Sequence, residues 1–355
     1  MVDKWKVDWK VEINGQDMTA GWQSVLQSIA INDQAGEASD SCDLRLDDTG
    51  GQILLPRKRS PVTVTINGAR LFRGFVEKSV FDCDRNGGRT LNVSAKGMDS
   101  GSKVKQPQSF NLDDADLGTF LGQMADNAGI NLKVDEGLAS IQQDYWAADG
   151  ESLIAMGQRV ARKYGGTFKI RGDQAVLARR GAGAAPGGVA LPVVDAVFGR
   201  NLVSCSITPR EPRRQFGSGQ ARWFDRAKAA FESADLDFGN DDFPVVNILR
   251  PAFADEDEAE AVLDARKRES EWEGGEGSAN LDFTLGAVVE GTCRVSGMRT
   301  GVDGTYVIAS VKHNANRSGG ASTSLELKQP GGEAGKDGRK AGESSFALPR
   351  HERLG

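Results

Sequence analysis

The side chains able to do chemistry fall into a few groups. Carboxylates are paired at Asp47/Asp48, Asp113/Asp114 and Asp241/Asp242, and run from Asp255 to Glu258. Glycoside hydrolysis needs two acids facing each other across a groove, but each of these sets reads more simply as a turn, a helix start or a solvated face. Asn240-Asp241-Asp242-Phe243 lacks the spaced oxygen ligands of a calcium loop. Only two histidines occur, His313 and His351, which leaves zinc binding and Ser-His-Asp catalysis almost nothing to work with. His313 follows an apolar alternation and reads as a core or strand-edge residue, and His351 lies in a charged tail. Cys42, Cys83, Cys205 and Cys293 are far apart with no CxxC pair, as expected of reduced, mostly buried thiols. The glycines at Gly36, Gly50-Gly51 and Gly187-Gly188 form neither GxGxxG nor a phosphate-cradling P-loop. The basic clusters Arg57-Lys58-Arg59 and Arg210–Arg214 read as solvated loops. Trp5, Trp9 and Trp22 read as packing at a barrel edge or interface rather than as a sugar-stacking platform. No catalytic, cofactor or metal site is expected from these residues.

The elements that would position them are mostly strands. Val62, Val64 and Ile66 alternate with Thr63 and Thr65, Leu91, Val93 and Ala95 with Asn92 and Ser94, and Cys42, Leu44 and Leu46 with Asp43 and Arg45. Alternation of period two marks strands with one face on a core and one in water. Turn signals at Asn14-Gly15, Asp48–Gly51, Asn67-Gly68 and Asn86–Gly88 separate them. The spacing predicts a small antiparallel barrel or sandwich over residues 1–104.

The period then changes. Leu117, Phe120, Leu121, Met124, Ala125 and Ala128 follow helical spacing up to Gly129, with Asp113, Asp114 and Asp116 in or before the first turn. A second helix is predicted over 149–164, stopped by Gly165-Gly166, and short strands at 132–134 and 141–145. Residues 105–166 thus read as a small α/β insert. Strands resume at 167–170 and 175–178, and alternation recurs at Val203/Cys205/Ile207, Leu281/Phe283/Leu285, 305–311 and 324–328. Arg222–Phe231 is ambiguous between strand and helix, with strand then turn preferred. One helix is expected over 255–272, acidic at its start and basic towards its end. Residues 167–330 read as a second β-barrel with that helix attached, and 331–355 as a Gly-rich charged tail whose apolar cluster is Phe346–Leu348.

Composition bounds the class. The 355 residues carry 44 Lys plus Arg against 50 Asp plus Glu, a net charge of −6. A protein that grips nucleic acid by counterion release normally has a basic excess, so DNA binding is not expected as the main task. Glycine at 44 against proline at 11 fits many turns and a β-rich fold. No run approaches the roughly 18 apolar residues of a membrane span, and the first residues carry no apolar stretch of a secretory leader. The fold class expected is mainly β (α+β).

An ordered series of segments resembles the phage late control D family, the baseplate hubs of contractile tails. The series begins with Asn14-Gly15-Gln16-Asp17-Met18-Thr19-Ala20 and continues through Ile31–Asp48, where a strand, a D-x-x-G loop, a Ser39-Asp40 step and an Asp47-Asp48 turn follow one another. It runs on through Phe72-Arg73-Gly74-Phe75-Val76, the helix after Asn111-Leu112, Asp135–Ile141, Gln158–Tyr164, Ala178-Arg179-Arg180-Gly181 and Asp303–His313. The resemblance spans about residues 10–328. It implies a structural, non-enzymatic protein with two tube-protein-like antiparallel β-barrels, trimeric, its three pairs of barrels forming a pseudo-sixfold ring. The partners implied are a hexameric tail tube protein, a trimeric tail spike and other baseplate components, with DNA only as transient cargo and no membrane insertion. The location implied is the virion, assembled in the host cytoplasm. Related type VI secretion spike proteins fuse such a hub to a spike; here no β-prism repeats follow, so the spike is expected to be a separate protein. The rival readings are a tail-borne cell-wall-degrading enzyme and a carbohydrate-binding β module built on the three tryptophans. No residue-level repetition between the two halves is visible in the sequence.

Overall fold

The computed structural model describes residues 6–85, 88–240 and 242–339. Its first third is strand after strand: β1 (Trp9–Ile13), β2 (Gln16–Asp17), a single helical turn α1 (Thr19–Trp22), β3 (Leu26–Gln34), β4 (Ser41–Asp47), β5 (Pro61–Ile66), β6 (Ala69–Asp84) and β7 (Gly88–Lys96). Apart from the β2 hairpin they pair in the spatial order β1-β5-β6-β7-β4-β3. The inward residues of the two ends of this path, Trp9, Val11 and Ile13 on β1 and Leu26, Ile29 and Ile31 on β3, share one core with Leu44, Val64, Phe72 and Val93. Only a sheet curled round on itself brings its two ends to a common core.

The insert follows: β8 (Gln108–Asp116), α2 (Leu117–Ala128), β9 (Asn131–Val134), α3 (Glu136–Ala139), β10 (Gln142–Glu151), α4 (Leu153–Lys163), β11 (Gly166–Arg171) and β12 (Gln174–Arg179). Asp116 caps α2 by accepting the Thr119 N–H at 2.6 Å, and Gly129 ends it in the left-handed region at φ 71°. Asp113 and Asp114, expected at the start of that helix, lie instead on β8, and the second helix begins at Leu153 because Asp149–Glu151 continue β10. Strands β11 and β12 form a hairpin that pairs with β9, and Phe168, Ile170, Ala175 and Leu177 pack among α2 and α4. The expected start of the second barrel at residue 167 is therefore corrected. These two strands have ordinary alternation, and nothing local says which sheet they join; helices α2 and α4 offer them the nearer apolar face.

The second half contains β13 (Val193–Val197), β14 (Leu202–Thr208), β15 (Ser218–Asp225), β16 (Ala230–Asp237), β17 (Val246–Phe253), α5 (Glu256–Trp272), β18 (Glu276–Asp282), β19 (Thr292–Ser296), β20 (Gly304–Asn316) and β21 (Gly320–Gly331). The ambiguous Arg222–Phe231 is the turn end of the β15–β16 hairpin. Strands β15–β17 form a separate three-stranded sheet, correcting the expectation that the whole region belongs to the barrel. Their sheet packs on α5 through Ala221, Ala259 and Leu263, and α5 in turn inserts Val262 into the core of the insert. The remaining strands pair in the order β13-β19-β20-β21-β18-β14 around a second core of Ala196, Leu281, Val295, Tyr306, Ile308 and Leu327.

The two curled sheets have one topology. Taken in chain order, β1, β3, β4, β5, β6 and β7 occupy the same places as β13, β14, β18, β19, β20 and β21. The match extends to register. A bulge falls between Leu26 and Ser28 against β4, and another between Leu202 and Ser204 against β18. A second bulge falls between Val76 and Lys78, and its counterpart between Ile308 and Ser310. Opposite it, Arg59 and Glu290 both hold left-handed backbone, at φ 67° and 66°. The Arg59 N–H donates to Val76 O and the Glu290 N–H to Ile308 O, each at 2.8 Å. The difference is the first strand: β1 is antiparallel to β5, whereas β13 is parallel to β19. Asp84 pairs with Gly88 as Asn316 pairs with Gly320, and Arg85 follows Asp84 as Arg317 follows Asn316.

The modules are joined edge to edge: β20 pairs antiparallel with β3 from Ser310 opposite Gln34 to Asn316 opposite Ser28, giving a continuous 13-stranded sheet. Ala315, on the second module's strand, is fully buried in the first module's core. Ala315→Asp is expected to cost about 3 kcal/mol or more by placing a charge there. Lys312→Asp, exposed on the same strand, is expected to stay within about 0.5 kcal/mol; urea unfolding of the two variants measures both.

Candidate assembly interface

The junction between the modules is built from groups that are individually weak. Each β3·β20 backbone bond contributes about 1 kcal/mol, and the ladder is sealed at its end by one side chain. Arg317 donates its backbone N–H to Gln27 O at 3.1 Å. Its guanidinium donates to Ser24 O at 2.8 Å and to Gln23 O at 2.6 Å. His313 faces the core side of the junction, opposite Ile31, with its Nδ1 3.1 Å from Thr323 Oγ1 and its ring edge-on to Phe283. Burial lowers its pKa to about 4, because taking the ring out of water disfavours its charged form. The expectation of a core histidine holds for His313; His351 lies outside the described residues.

Beside this junction two carboxylates meet two cations. Lys169 Nζ lies 2.5 Å from Asp33 and 3.3 Å from Asp40, and Arg171 donates to Asp40 and to Asp33 at 2.6 Å each. Asp33 is the penultimate residue of β3 and Asp40 lies in the loop before β4, whereas both cations sit on β11, so the cluster pins the insert to the first module. Burial works to raise the Asp33 pKa, but Lys169 and Arg171 outweigh it and hold the group below the usual range. Burial and the neighbouring Asp33 charge push Asp40 up. In the same loop Ser39 Oγ accepts the Met98 N–H at 2.9 Å and the Ala38 carbonyl accepts the Ile170 N–H at 2.7 Å. The D-x-x-G and Ser-Asp elements of the sequence are thus a docking loop. Glu290 plays a like part in the second module, accepting from Thr167 Oγ1 at 2.7 Å and from the Gly181 N–H at 2.8 Å, while its counterpart Arg59 pairs with Asp99 at 2.8 Å.

The other groups singled out in the sequence are dispersed. Asp47 accepts the Thr49 N–H and hydroxyl within its turn, and Asp48 accepts the Ile53 N–H. Asp255 caps α5 by accepting the Glu258 N–H at 2.8 Å. Glu258 is buried and holds Lys163 and Gln143, tying α5 to the insert. Asp241 and Trp5 lie outside the described residues; Trp9 and Trp22 are buried in the first module's core, which removes them from any sugar-binding cleft. Arg214 pairs with Glu273. Cys42 and Cys293 are buried and Cys205 half-buried, but Cys83 is exposed. Among the described residues no group of three or more His, Cys, Asp or Glu converges as a metal would require, and no helix is long and apolar enough to cross a membrane. The Asp33–Asp40–Lys169–Arg171 cluster escaped the sequence reading as a site, although its two acids belong to the most specific motif in the chain.

Comparison with known proteins bears on what such a joined pair of modules is. No protein-family model matches the chain. In sequence it is 24% identical over 193 residues to the probable baseplate hub protein of Escherichia phage P2, covering 53% of this chain and 49% of that one. The chain spans about half the length of the curated relatives it matches. In structure it aligns with the 43 kDa tail protein of prophage MuSo2 from Shewanella oneidensis at a TM-score of 0.67 and 16% identity, over 91% of this chain and 98% of that one. An E. coli component of the type VI secretion system, described as structurally similar to T4 bacteriophage tail proteins, aligns at a TM-score of 0.58 and 8% identity, over 92% and 78%. The resemblance to phage baseplate hubs holds. With it holds the expected fold class, mainly β and shared with phage tail proteins.

Two outcomes follow from the junction. The fold favours neutral His313, so its contribution is complete above the unfolded value of 6.5 and is lost as pH falls towards 4. That loss is about 3 kcal/mol at most; a His313→Gln variant should show a flatter stability profile across this window in urea titrations at stepped pH. Lys169→Met leaves two buried acids sharing Arg171 and is expected to cost about 3 kcal/mol, with part of the loss recovered in Lys169→Met/Asp40→Asn; chemical unfolding midpoints give both values.

Proposed function

We propose that this chain is a structural baseplate hub of a contractile phage tail or tail-like particle. In this reading three copies form a ring of six like modules that matches a hexameric tail tube above and a trimeric spike below. DNA passes through its lumen without being held. The single observation that supports the reading most is the doubled module. Two curled sheets of one topology, joined edge to edge, allow threefold copies to present six nearly equivalent barrels to a sixfold partner. An edge strand left unpaired is an aggregation hazard, and a ring that buries such edges between neighbours removes it. A heterologous contact of this kind makes a closed ring when its rotation fits, and an open filament otherwise. The acidic balance, net −6, suits a conduit that must release a polyanion. The division of labour proposed is two ring-forming modules, an insert pinned to them by the Asp33–Lys169 cluster, and a peripheral lobe built on α5. The proposed location is the virion baseplate, with assembly in the host cytoplasm, and no catalysis is assigned.

Particles produced from the source genome are expected to carry this chain at one end of the tail, seen by gold-labelled antibody in electron micrographs. Deleting its gene is expected to leave tails without a baseplate. Label spread along the sheath, or normal baseplates after deletion, would overturn the reading.

A further inference from the structure

The internal duplication says where a second copy binds. Within the chain, the second module offers the distal half of β20 to the edge of β3. The structural counterpart of that half-strand is residues 78–84 of β6, and the counterpart of β3 is β14. Among the described residues, β6 uses its proximal half against β5 and over Lys78–Cys83 has β7 as its strand partner, while β14 from Ser204 to Thr208 has β18 as its strand partner, its first residue Leu202 also bridging to Phe198. The half-strand and the edge that meet in one junction thus each have a counterpart left open.

Resting on the ring reading above, we propose that β14 of one copy adds antiparallel to the distal half of β6 in a second copy, repeating between chains the junction that β3 and β20 make within one. Carrying the internal register across sets Val80–Asp84 opposite Ser204–Thr208. Phe81 then faces Ile207, and Cys83 faces Cys205. Burial supports this placement. His313 is 5% exposed and Ala315 fully buried, but their counterparts are open: Phe81 is 51% exposed and Cys83 lies on the surface. On the receiving strand Ile29 and Ile31 are buried, whereas Cys205 and Ile207 are half-buried. A neighbouring β6 would cover both and set an aromatic ring where His313 sits in the internal junction. Arg85 repeats Arg317 one residue past the half-strand, and by the same register it lies beside the backbone that leads into β14. Pro209 has no N–H to give at the next bonding position, which ends the ladder at Thr208. The contact joins two different surfaces, so each copy uses one edge to give and one to receive.

The thiols supply the test. The flanking bonds from the Ala35 N–H to Ala309 O and from the Arg317 N–H to Gln27 O place Ala315 and Ile29 in a hydrogen-bonded pair, whose Cα atoms lie about 5.5 Å apart. Cys83 and Cys205 would inherit that spacing, which is wide for a direct disulfide between Cβ atoms but within reach of a short bis-alkylating reagent. The full-length chain is expected to form a multimer by light scattering. Dibromobimane, losing one bromide to each thiolate as two thioether bonds form, should then join Cys83 of one copy to Cys205 of the next in a ladder on denaturing gels. The ladder should vanish in Cys83→Ser and in Cys205→Ser. Phe81→Asp and Arg85→Glu, both at exposed positions, should keep the thermal unfolding of the single chain and lower the mass to one chain. A multimer that survives both substitutions and shows no Cys83–Cys205 link overturns the edge pairing and leaves the hub reading standing. A chain that is monomeric at every attainable concentration also overturns the pairing, and the hub reading then rests on the particle experiment alone.

Discussion

A β-strand at the rim of a sheet carries a row of N–H and C=O groups that must be answered by water or by another strand. In this chain that constraint organises the molecule. Strand β3 lies at the end of the first curled sheet, and its outer edge is answered by the far half of β20, a strand some 280 residues away in sequence by the numbering of its partners. The two halves become one sheet, and the first core borrows Ala315 from the second half. The first module is not complete in itself, because the long strand β20 serves β19 with its near half and lends its far half to β3.

The insert is fastened to the two curled sheets by polar contacts, and among the described residues shares its core only with the α5 lobe. Asp33 and Asp40 on the first module face Lys169 and Arg171 on the insert, and Glu290 on the second module takes hydrogen bonds from Thr167 and Gly181. Largely buried charge pairs such as those of Lys169 with Asp33 and Asp40 add little net stability but penalise any misplacement, so they fix orientation. For a protein read as a ring component, orientation matters more than affinity: an insert that swung would change the outline of every subunit. The separate sheet β15–β17 sits in the connection between β14 and β18, where the first module has only a short loop. An insertion at that point leaves the strand order of the second module untouched.

Duplication of topology without duplication of chemistry is the most informative feature of the chain. Arg59 and Glu290 carry opposite charges yet hold the same left-handed backbone and answer the same bulge. Strands ask only that every second residue be apolar, so two copies of a module can drift apart in nearly every side chain. An arginine at the same place, Arg85 after β6 and Arg317 after β20, is an exception; Arg317 bonds to backbone carbonyls rather than to a side chain that could change with it.

The short-range features were legible in the residues themselves: alternation placed the strands, Asp116 and Asp255 marked helix starts, Gly129 marked a helix end, and the D-x-x-G loop marked a resemblance to hub proteins. All of these depend on neighbours a few positions away, where periodicity and capping act. What tertiary structure decided was partnership. It assigned β11 and β12 to the insert rather than to the second barrel, turned two acids of a motif into a buried staple with Lys169, and revealed the common register of the two halves. An alternating strand carries no mark of which edge it will meet, because backbone hydrogen bonds are the same in every strand; only the cores and bulges, once assembled, select among them.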